Sequence, residues 1–283
     1  MKQWKIVADS LCDIRTVDNL EDHVDFESVP LIINVDDETF IDDENIDLPA
    51  LRQALKNAKT ATSSACPGPS HYAEAYKGAE NVLVFCVSKN LSGSYNSAML
   101  GKEIALEENP NLNIHVINTA TAGAEINIAV QRAIDLANKG LSFDEVTKEI
   151  DDYNNQTSIL FVLESIKNLV NAGRVSKLLG HMVGLLNIFL IGKRTPEGTI
   201  ELANRARGSK RALKTLLEEL KEHNFNGKRI EITHANNLSY ADKIKQSILD
   251  HFPTADITVA EMGGLCEYYA EEKGIMVGFE TNN

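Results

Sequence analysis

Basic residues are scarce in this chain. Against 41 Asp and Glu there are 28 Lys and Arg, a formal charge of −13, and such a surplus repels a polyphosphate backbone, which argues against nucleic acid as a partner. Cysteine is equally sparse. Cys12, Cys66, Cys86 and Cys266 show neither paired metal spacing nor the framework of a secreted disulfide protein, so reduced thiols and no zinc site are expected. The start, Met1-Lys2-Gln3-Trp4-Lys5-Ile6, enters a strand without a signal-peptide apolar core, which predicts a cytoplasmic protein. The longest apolar run, Met182 to Gly192, is broken by Gly184 and Asn187 and is too short to span a bilayer, leaving at most peripheral membrane contact. Low-complexity tracts and internal repeats are missing. So are a Walker-type phosphate loop, a glycine-rich dinucleotide fingerprint, a nucleophile elbow and a paired-histidine zinc helix, so nothing supplies self-contained ATP chemistry.

What is present is an ordinary globular composition, 43% apolar and 24% charged over 283 residues, enough for one large or two modest domains. The first half alternates β-type runs (Lys5–Ala8, Val29–Val35, Val82–Val87, Ile114–Ile117) with helical ones near Leu48–Ala58, Ser70–Tyr76, Ser94–Glu108 and Ala122–Lys139. That alternation predicts a parallel sheet covered on both faces. A helix over Ser142–Tyr153 follows, and beyond Asn155 the regime changes. Thr157–Leu163 and Ile188–Ile200 read as strands, with Thr195-Pro196-Glu197-Gly198 a turn that returns Thr199–Ala203 antiparallel. Helices at Ser209–Glu222 and Ser239–His251 then alternate with strands at Arg229–Thr233, Ile257–Ala260 and Ile275–Phe279. The polar segment Asn154-Asn155-Gln156 marks the boundary of an α/β protein with an N-terminal domain over 1–155 and a mixed α/β domain over 156–283. The cleft between them is the default ligand site.

Four hydroxyl clusters follow the strand-like runs: Ala8-Asp9-Ser10, Thr62-Ser63-Ser64, Ser92-Gly93-Ser94 and Asn118-Thr119. In parallel α/β sheets ligands gather beyond the carboxyl ends of strands, where these clusters sit. Ser92 opens a helix, so its hydroxyl and the free first-turn amides suit a carboxylate or phosphate, and Gly93 lets an anion approach the backbone. The alternatives stay open: Asp9-Ser10 and Asp13 also read as polar caps of a turn, Thr62-Ser63-Ser64 as a surface loop held by Pro67-Gly68-Pro69, and Ser92 as a plain cap. His234 could reach a cleft but reads better as a structural histidine. The basic run Arg205, Arg207, Lys210, Arg211 and Lys214 reads as a solvated face or as a docking surface for a phosphate-bearing partner.

Taken in order, these stretches resemble the DegV family of bacterial fatty-acid-binding proteins over nearly the whole chain. Ala8-Asp9-Ser10-Leu11-Cys12-Asp13-Ile14 is similar to the family opening of Thr-Asp-Ser with an Asp soon after, and Val29-Pro30-Leu31 to its second strand. Thr62-Ser63-Ser64-Ala65-Cys66-Pro67 keeps the first two residues and the last of Thr-Ser-Gln-Pro-Ser-Pro, and Ser92-Gly93-Ser94-Tyr95-Asn96-Ser97-Ala98 resembles Ser-Gly-Thr-Tyr-Gln-Ser-Ala. Phe161-Val162-Leu163-Glu164-Ser165-Ile166, Ala172-Gly173-Arg174-Val175-Ser176 and Ala206-Arg207-Gly208 match later segments. The resemblance implies a two-domain fold with a long-chain fatty acid buried between the domains, and no cofactor. Its carboxylate would be held by Thr62, Ser63, Ser92, Gly93 and Ser94. It also implies that a separate fatty acid kinase brings ATP and magnesium, and that Arg174, Arg205 and Arg207 dock it, which would explain the missing phosphate loop.

The C-terminal segment departs from the family. Tyr269-Ala270-Glu271-Glu272-Lys273-Gly274 stands where the family has His-Thr-Gly-Pro-Gly, so Tyr269 takes the position of a histidine that contacts the carboxylate. A tyrosine donates one hydrogen bond but brings no charge. Ile188-Phe189-Leu190 replaces Ile-Lys-Pro and removes another cation. Burying a tail of roughly fourteen carbons gains on the order of 10 kcal/mol, so a weakened head-group contact does not abolish lipid binding. The expected function is therefore a non-enzymatic lipid carrier with Tyr269 near the head group. The rival is an enzyme or sensor that takes a small carboxylated or phosphorylated metabolite in the same cleft. An apolar cavity favours the first, a short polar cleft the second.

Overall fold

In the computed structural model, residues 1–18, 20–175 and 187–282 are described. The Ser176 end of the arginine segment and the first part of the Met182–Gly192 run lie outside them. Four parallel strands, in the order β2-β1-β6-β7, form the first sheet: β1 (Lys2–Asp9), β2 (Val24–Val29), β6 (Ala79–Cys86) and β7 (Asn113–Asn118). The central strands β1 and β6 are buried along nearly their whole length, as a parallel sheet packed on both faces requires. Alternate residues of each enter different cores. Val7, Val82, Val84 and Cys86 pack with Tyr72 and Tyr76 beneath α2 (Pro69–Ala75) and α3 (Ser94–Glu108), whereas Trp4, Ile6, Leu83 and Phe85 face the opposite way.

Val29–Val35, expected as one strand, holds only the last residue of β2 and, after a break, a separate strand, and residues 24–28 of β2 were not expected. Pro30 has no amide hydrogen to continue the ladder, so the chain leaves β2 and re-forms as β3 (Ile32–Val35) in a small antiparallel sheet with β4 (Glu38–Ile41) and β5 (Ser63–Ala65). The hydroxyl-rich loop is thus partly an edge strand. Helix α1 (Leu48–Asn57), capped by the Asp47 carboxylate, connects β4 to it.

The second sheet is mixed, in the order β10-β9-β8-β13-β11-β12, from β8 (Thr157–Leu163), β9 (Ile188–Arg194), β10 (Ile200–Arg207), β11 (Phe225–His234), β12 (Asp256–Glu261) and β13 (Ile275–Thr281). One face, carrying Leu160, Val162, Ile230, Ile232, Val277 and Phe279, packs under α7 (Ser209–Glu222) and α8 (Leu238–His251). The other, carrying Ile159, Phe161, Leu163, Leu190 and Met276, joins Trp4, Ile6 and Phe85 in a core common to both sheets.

Helix α4 (Ala124–Ala137) runs through that common core, buried on every side from Ala124 to Val130. Most of its side chains are apolar, as a helix buried on every side requires, and its polar members Glu125 and Asn127 are hydrogen-bonded. At Gly278 a side chain would come within 2.4 Å of the Glu125 amide nitrogen, so glycine lets the helix lie directly on β13. The one charge on the buried turn, Glu125, is matched by the Arg194 guanidinium at 3.0 Å and the Thr157 hydroxyl at 2.8 Å. Helix α5 (Phe143–Asn154), opening on a Ser142–Glu145 capping box, packs against α4, and the short α6 (Lys167–Asn171) follows β8. The short α9 (Gly264–Ala270), like β4 and β5, is an element the sequence reading omits. Its first amides are held by Asp42, distant in sequence, which accepts from the Gly264 and Leu265 amides at 2.8 and 3.1 Å. No described helix is long and apolar enough to cross a membrane.

Candidate functional site

Within the common core lies a cavity of about 320 Å³. Its wall is mostly aliphatic and aromatic, Leu11, Phe161, Leu163, Leu169, Leu190 and Met276 among its members. Hydroxyls enter it from three elements: Ser64 from β5, Ser92 from the turn before α3, and Tyr269 from α9. Ser64 Oγ and the Tyr269 hydroxyl are bonded to each other at 2.9 Å. Gly93 lies at the same wall, where an added Cβ would come within 3.2 Å of Cys66 Sγ. The strand-ending serine turn and the end of a short helix therefore meet across one opening in an otherwise oily interior.

The sequence-predicted residues divide between this cavity and its surroundings. Ser92, Gly93 and Tyr269 are on the wall; Thr62, Ser63 and Ser94 are not. The Thr62 hydroxyl bonds the Tyr268 hydroxyl at 3.0 Å beside a separate polar groove, and Ser63 is exposed and lines neither space. Ser94 is fully buried behind Ser92, its Oγ 2.9 Å from Ser92 Oγ, while its amide donates to Ser92 Oγ at 3.2 Å. Ser92 thus receives a first-turn amide, although Gly93 holds the formal cap position. Tyr268 and Tyr269, stacked edge to face at 4.8 Å, stitch successive parts of the 62–64 segment to α9. The glutamates that follow turn away: Glu271 accepts from the Asn168 amide at 3.0 Å, and both line the polar groove rather than the cavity.

Arg174 enters the cavity wall from the loop after α6. It donates to the Ala172 carbonyl at 2.9 Å, its Nε is buried without a partner, and it has no ion pair among the described residues. The one acid among the described residues of the wall, Glu201, pairs instead with Lys193 at 3.5 Å. Arg205 and Arg207 are exposed on edge strand β10, opposite Leu190 and Ile188 of β9. Cross-strand partners share a face, so these arginines extend the cavity-facing side of the sheet to its rim. His234 is buried and accepts from the Asn237 amide, a structural position.

Three buried carboxyl groups sit far above the ordinary range because burial disfavours their charge. Asp9 is pushed up to about 7 although its oxygens accept from the Leu11 and Val87 amides. Asp13, which accepts from the Gly263 amide at 2.7 Å, is pushed up to about 6, and Glu231, held by Asn127 and Gln131, to about 7. Asp9 and Asp13 are therefore built into the framework: one ties β1 to β6, the other ties the first sheet to the start of α9. Among the described residues no group of His, Cys, Asp and Glu has metal-ligand geometry.

The DegV family model matches residues 3–282. This chain belongs to the DegV family. A DegV domain-containing protein of Streptococcus gordonii is 43% identical over 277 residues, 98% of this chain and 99% of the relative. The crystal structure of the Streptococcus pneumoniae fatty acid kinase (Fak) B3 protein loaded with linoleic acid is 42% identical and superposes with a TM-score of 0.97 over 99% of this chain and 100% of that one. A DegV family protein from Eubacterium eligens loaded with heptadecanoic acid is 34% identical, with a TM-score of 0.95 over 99% of this chain and all of that one. The DegV resemblance and the α/β architecture read from the motifs are both borne out.

Sequence reasoning passed over Ser64, which it quoted but left out of the site, and Arg174 as a cavity residue. A period-two reading of 63–65 separates Ser64 from its neighbours once β5 is known to be a strand. For Arg174 no local signal exists, because its place on the wall depends on how α6 meets the second sheet.

Proposed function

We propose that residues 1–155 and 156–283 form two domains that enclose one long-chain fatty acid and present its carboxylate to a separate fatty acid kinase. The observation that carries this reading is the oily cavity in the common core, entered by the Ser64, Ser92 and Tyr269 hydroxyls. Its volume of about 320 Å³ lies within the range of small-ligand sites, and its lining suits an alkyl chain rather than a small charged metabolite. Two relatives above 30% identity that were crystallised with fatty acids support it.

The roles follow from placement. Ser64, Ser92 and Tyr269 offer neutral hydrogen bonds to the carboxylate, and the Gly93 backbone admits it closely. Arg174 supplies the positive charge that Tyr269 cannot. A guanidinium beside the head group pairs with the bound carboxylate and, as a carboxylate oxygen attacks the terminal phosphate of ATP and ADP departs, with the oxygens of the phosphoryl group in transfer. That nucleotide belongs to the kinase, and Arg205 and Arg207 on the rim of β10 meet it. Thr62 acts indirectly, holding Tyr268 and so the position of α9.

The experiment is a coupled assay with purified fatty acid kinase, ATP and fatty acid, alongside a direct fatty-acid titration of this protein alone. Tight binding with kinase-dependent acyl phosphate supports the proposal. Binding without any acyl phosphate removes the kinase half, and absence of binding removes both.

A further inference from the structure

Helix α9 carries Leu265, Tyr269 and Ala270 on the cavity wall, yet nothing in its own sequence accounts for where it lies. It is a short helix, and helices of that length do not hold on their own in water. Its exit is strained: Glu271 has φ 57° and ψ −178°, a region all but reserved for glycine, and Lys273 follows at φ 68°. Such a conformation persists only where the surrounding contacts enforce it.

The hydrogen bonds at its start and along its flank come from residues 1–155. The Asp42 carboxylate accepts from the Gly264 amide at 2.8 Å and from the Leu265 amide at 3.1 Å. Arg15 holds that carboxylate in turn, donating through Nη2 to Asp42 Oδ1 at 2.8 Å and to the Ser10 carbonyl at 3.0 Å. The fit is close: a Cβ at Gly263 would come within 1.9 Å of Arg15 Nη2, and one at Gly264 within 3.0 Å of Asp42 Oδ1. On the flank Arg52 of α1 donates to Glu267 at 2.7 Å, and at the far end Thr62 and Ser64 meet the Tyr268 and Tyr269 hydroxyls. Asp42 is fully buried, and neither it nor Arg15 lines the cavity.

We propose that Asp42, held by Arg15, is the positioning residue for Tyr269: by fixing the first turn of α9 it sets where, roughly 7 Å further along the helix axis, the Tyr269 hydroxyl meets the fatty-acid head group. The proposal rests on the fatty-acid reading above. With the grip in place the ligand finds Tyr269 already seated against Ser64, and none of its binding energy goes into ordering the helix. Asp42→Asn keeps one acceptor oxygen but turns an N–H toward the three donors that converge there, so one of the Gly264 amide, the Leu265 amide and the Arg15 guanidinium loses its partner. The strained exit then relaxes, and Tyr269 leaves its place on the wall.

The test is a double-mutant cycle on the whole protein, read by titration with hexadecanoate for the parent, Asp42→Asn, Tyr269→Phe and the double variant, with thermal unfolding to establish that each is folded. Residues that neither touch nor share a partner normally act additively. Here Asp42→Asn should bind about two- to tenfold more weakly, the loss expected from the Tyr269 hydroxyl itself, and the double variant no more weakly than the worse single one. In fluorotyrosine-labelled protein without ligand, the fluorine resonance that Tyr269→Phe removes should move in Asp42→Asn, while those of Tyr72 and Tyr76, in the core beneath α2 and α3, stay where they are. Should Asp42→Asn not fold, Arg15→Lys, which keeps the charge but loses the planar fork, carries the same predictions. Losses that multiply in the double variant, parent-like binding by the folded single variant, or an unmoved Tyr269 resonance would overturn the inference and leave the fatty-acid reading intact. A parent protein that binds no hexadecanoate would overturn that reading, and the positioning role with it.

Discussion

Replacing Ala122 by phenylalanine puts a ring into the wall of the cavity at a buried position between β7 and α4. The ring adds about six carbons where the alanine has one methyl group, and the space it takes is taken from the ligand. Each buried methylene is worth about 0.8 kcal/mol, so a long acid deprived of roughly six loses about 5 kcal/mol, between a thousandfold and ten-thousandfold in affinity. Ala122→Phe should therefore weaken hexadecanoic acid by orders of magnitude. Leu169→Ala, also on the wall, works in the opposite sense: it costs about 2–5 kcal/mol of stability in the empty protein, part of which a longer or bulkier acid restores. Competition titrations over a series of chain lengths measure both, with thermal unfolding to establish that each variant is folded. If folded Ala122→Phe bound hexadecanoic acid as tightly as the parent, the cavity would not be where the acyl chain lies.

The head group gives a smaller effect. Tyr269→Phe keeps the ring but removes the hydroxyl bonded to Ser64, so fatty-acid affinity should fall by about 0.5–1.5 kcal/mol, roughly two- to tenfold, in a direct titration. Arg207→Ala should slow acyl phosphate formation by an added fatty acid kinase while leaving that titration unchanged; an equal loss in both would place Arg207 in the binding site rather than on a docking rim. The buried carboxyls set a pH dependence of stability. Because burial raises Asp9, Asp13 and Glu231 above their unfolded values, the folded state holds more protons, and the stability these groups provide in acid is lost as pH rises toward about 7. Asp13→Asn, which retains an acceptor for the Gly263 amide, should accordingly raise the thermal midpoint at about pH 8 more than at about pH 5, and equal shifts at both would contradict this assignment.

Strands β1, β6, β8 and β13 were readable because each of their sides meets a core, so apolar runs such as Val82–Cys86 and Ile275–Val277 stand out locally. Serine and glycine at 92–94 were likewise visible as a helix opening. The missing parts depend on distant partners. Pro30 splits its strand only because another strand pair is there to receive Ile32. Helix α9 has no capping residue of its own, and its first amides are held by Asp42, 222 positions away. The same holds for the site. Thr62 and Ser64 look alike in a hydroxyl-rich loop, and only the two tyrosines of α9 direct one to the polar groove and the other to the cavity. Arg174, read as a docking residue, lies on the cavity wall because of where α6 ends.

The most direct measurement is mass spectrometry of protein purified from cells in native form and then extracted under denaturing conditions. One long-chain fatty acid per chain, exchangeable for an added one, is the predicted result. A preparation that carries no acyl species and takes up none when it is offered would contradict the account at its centre.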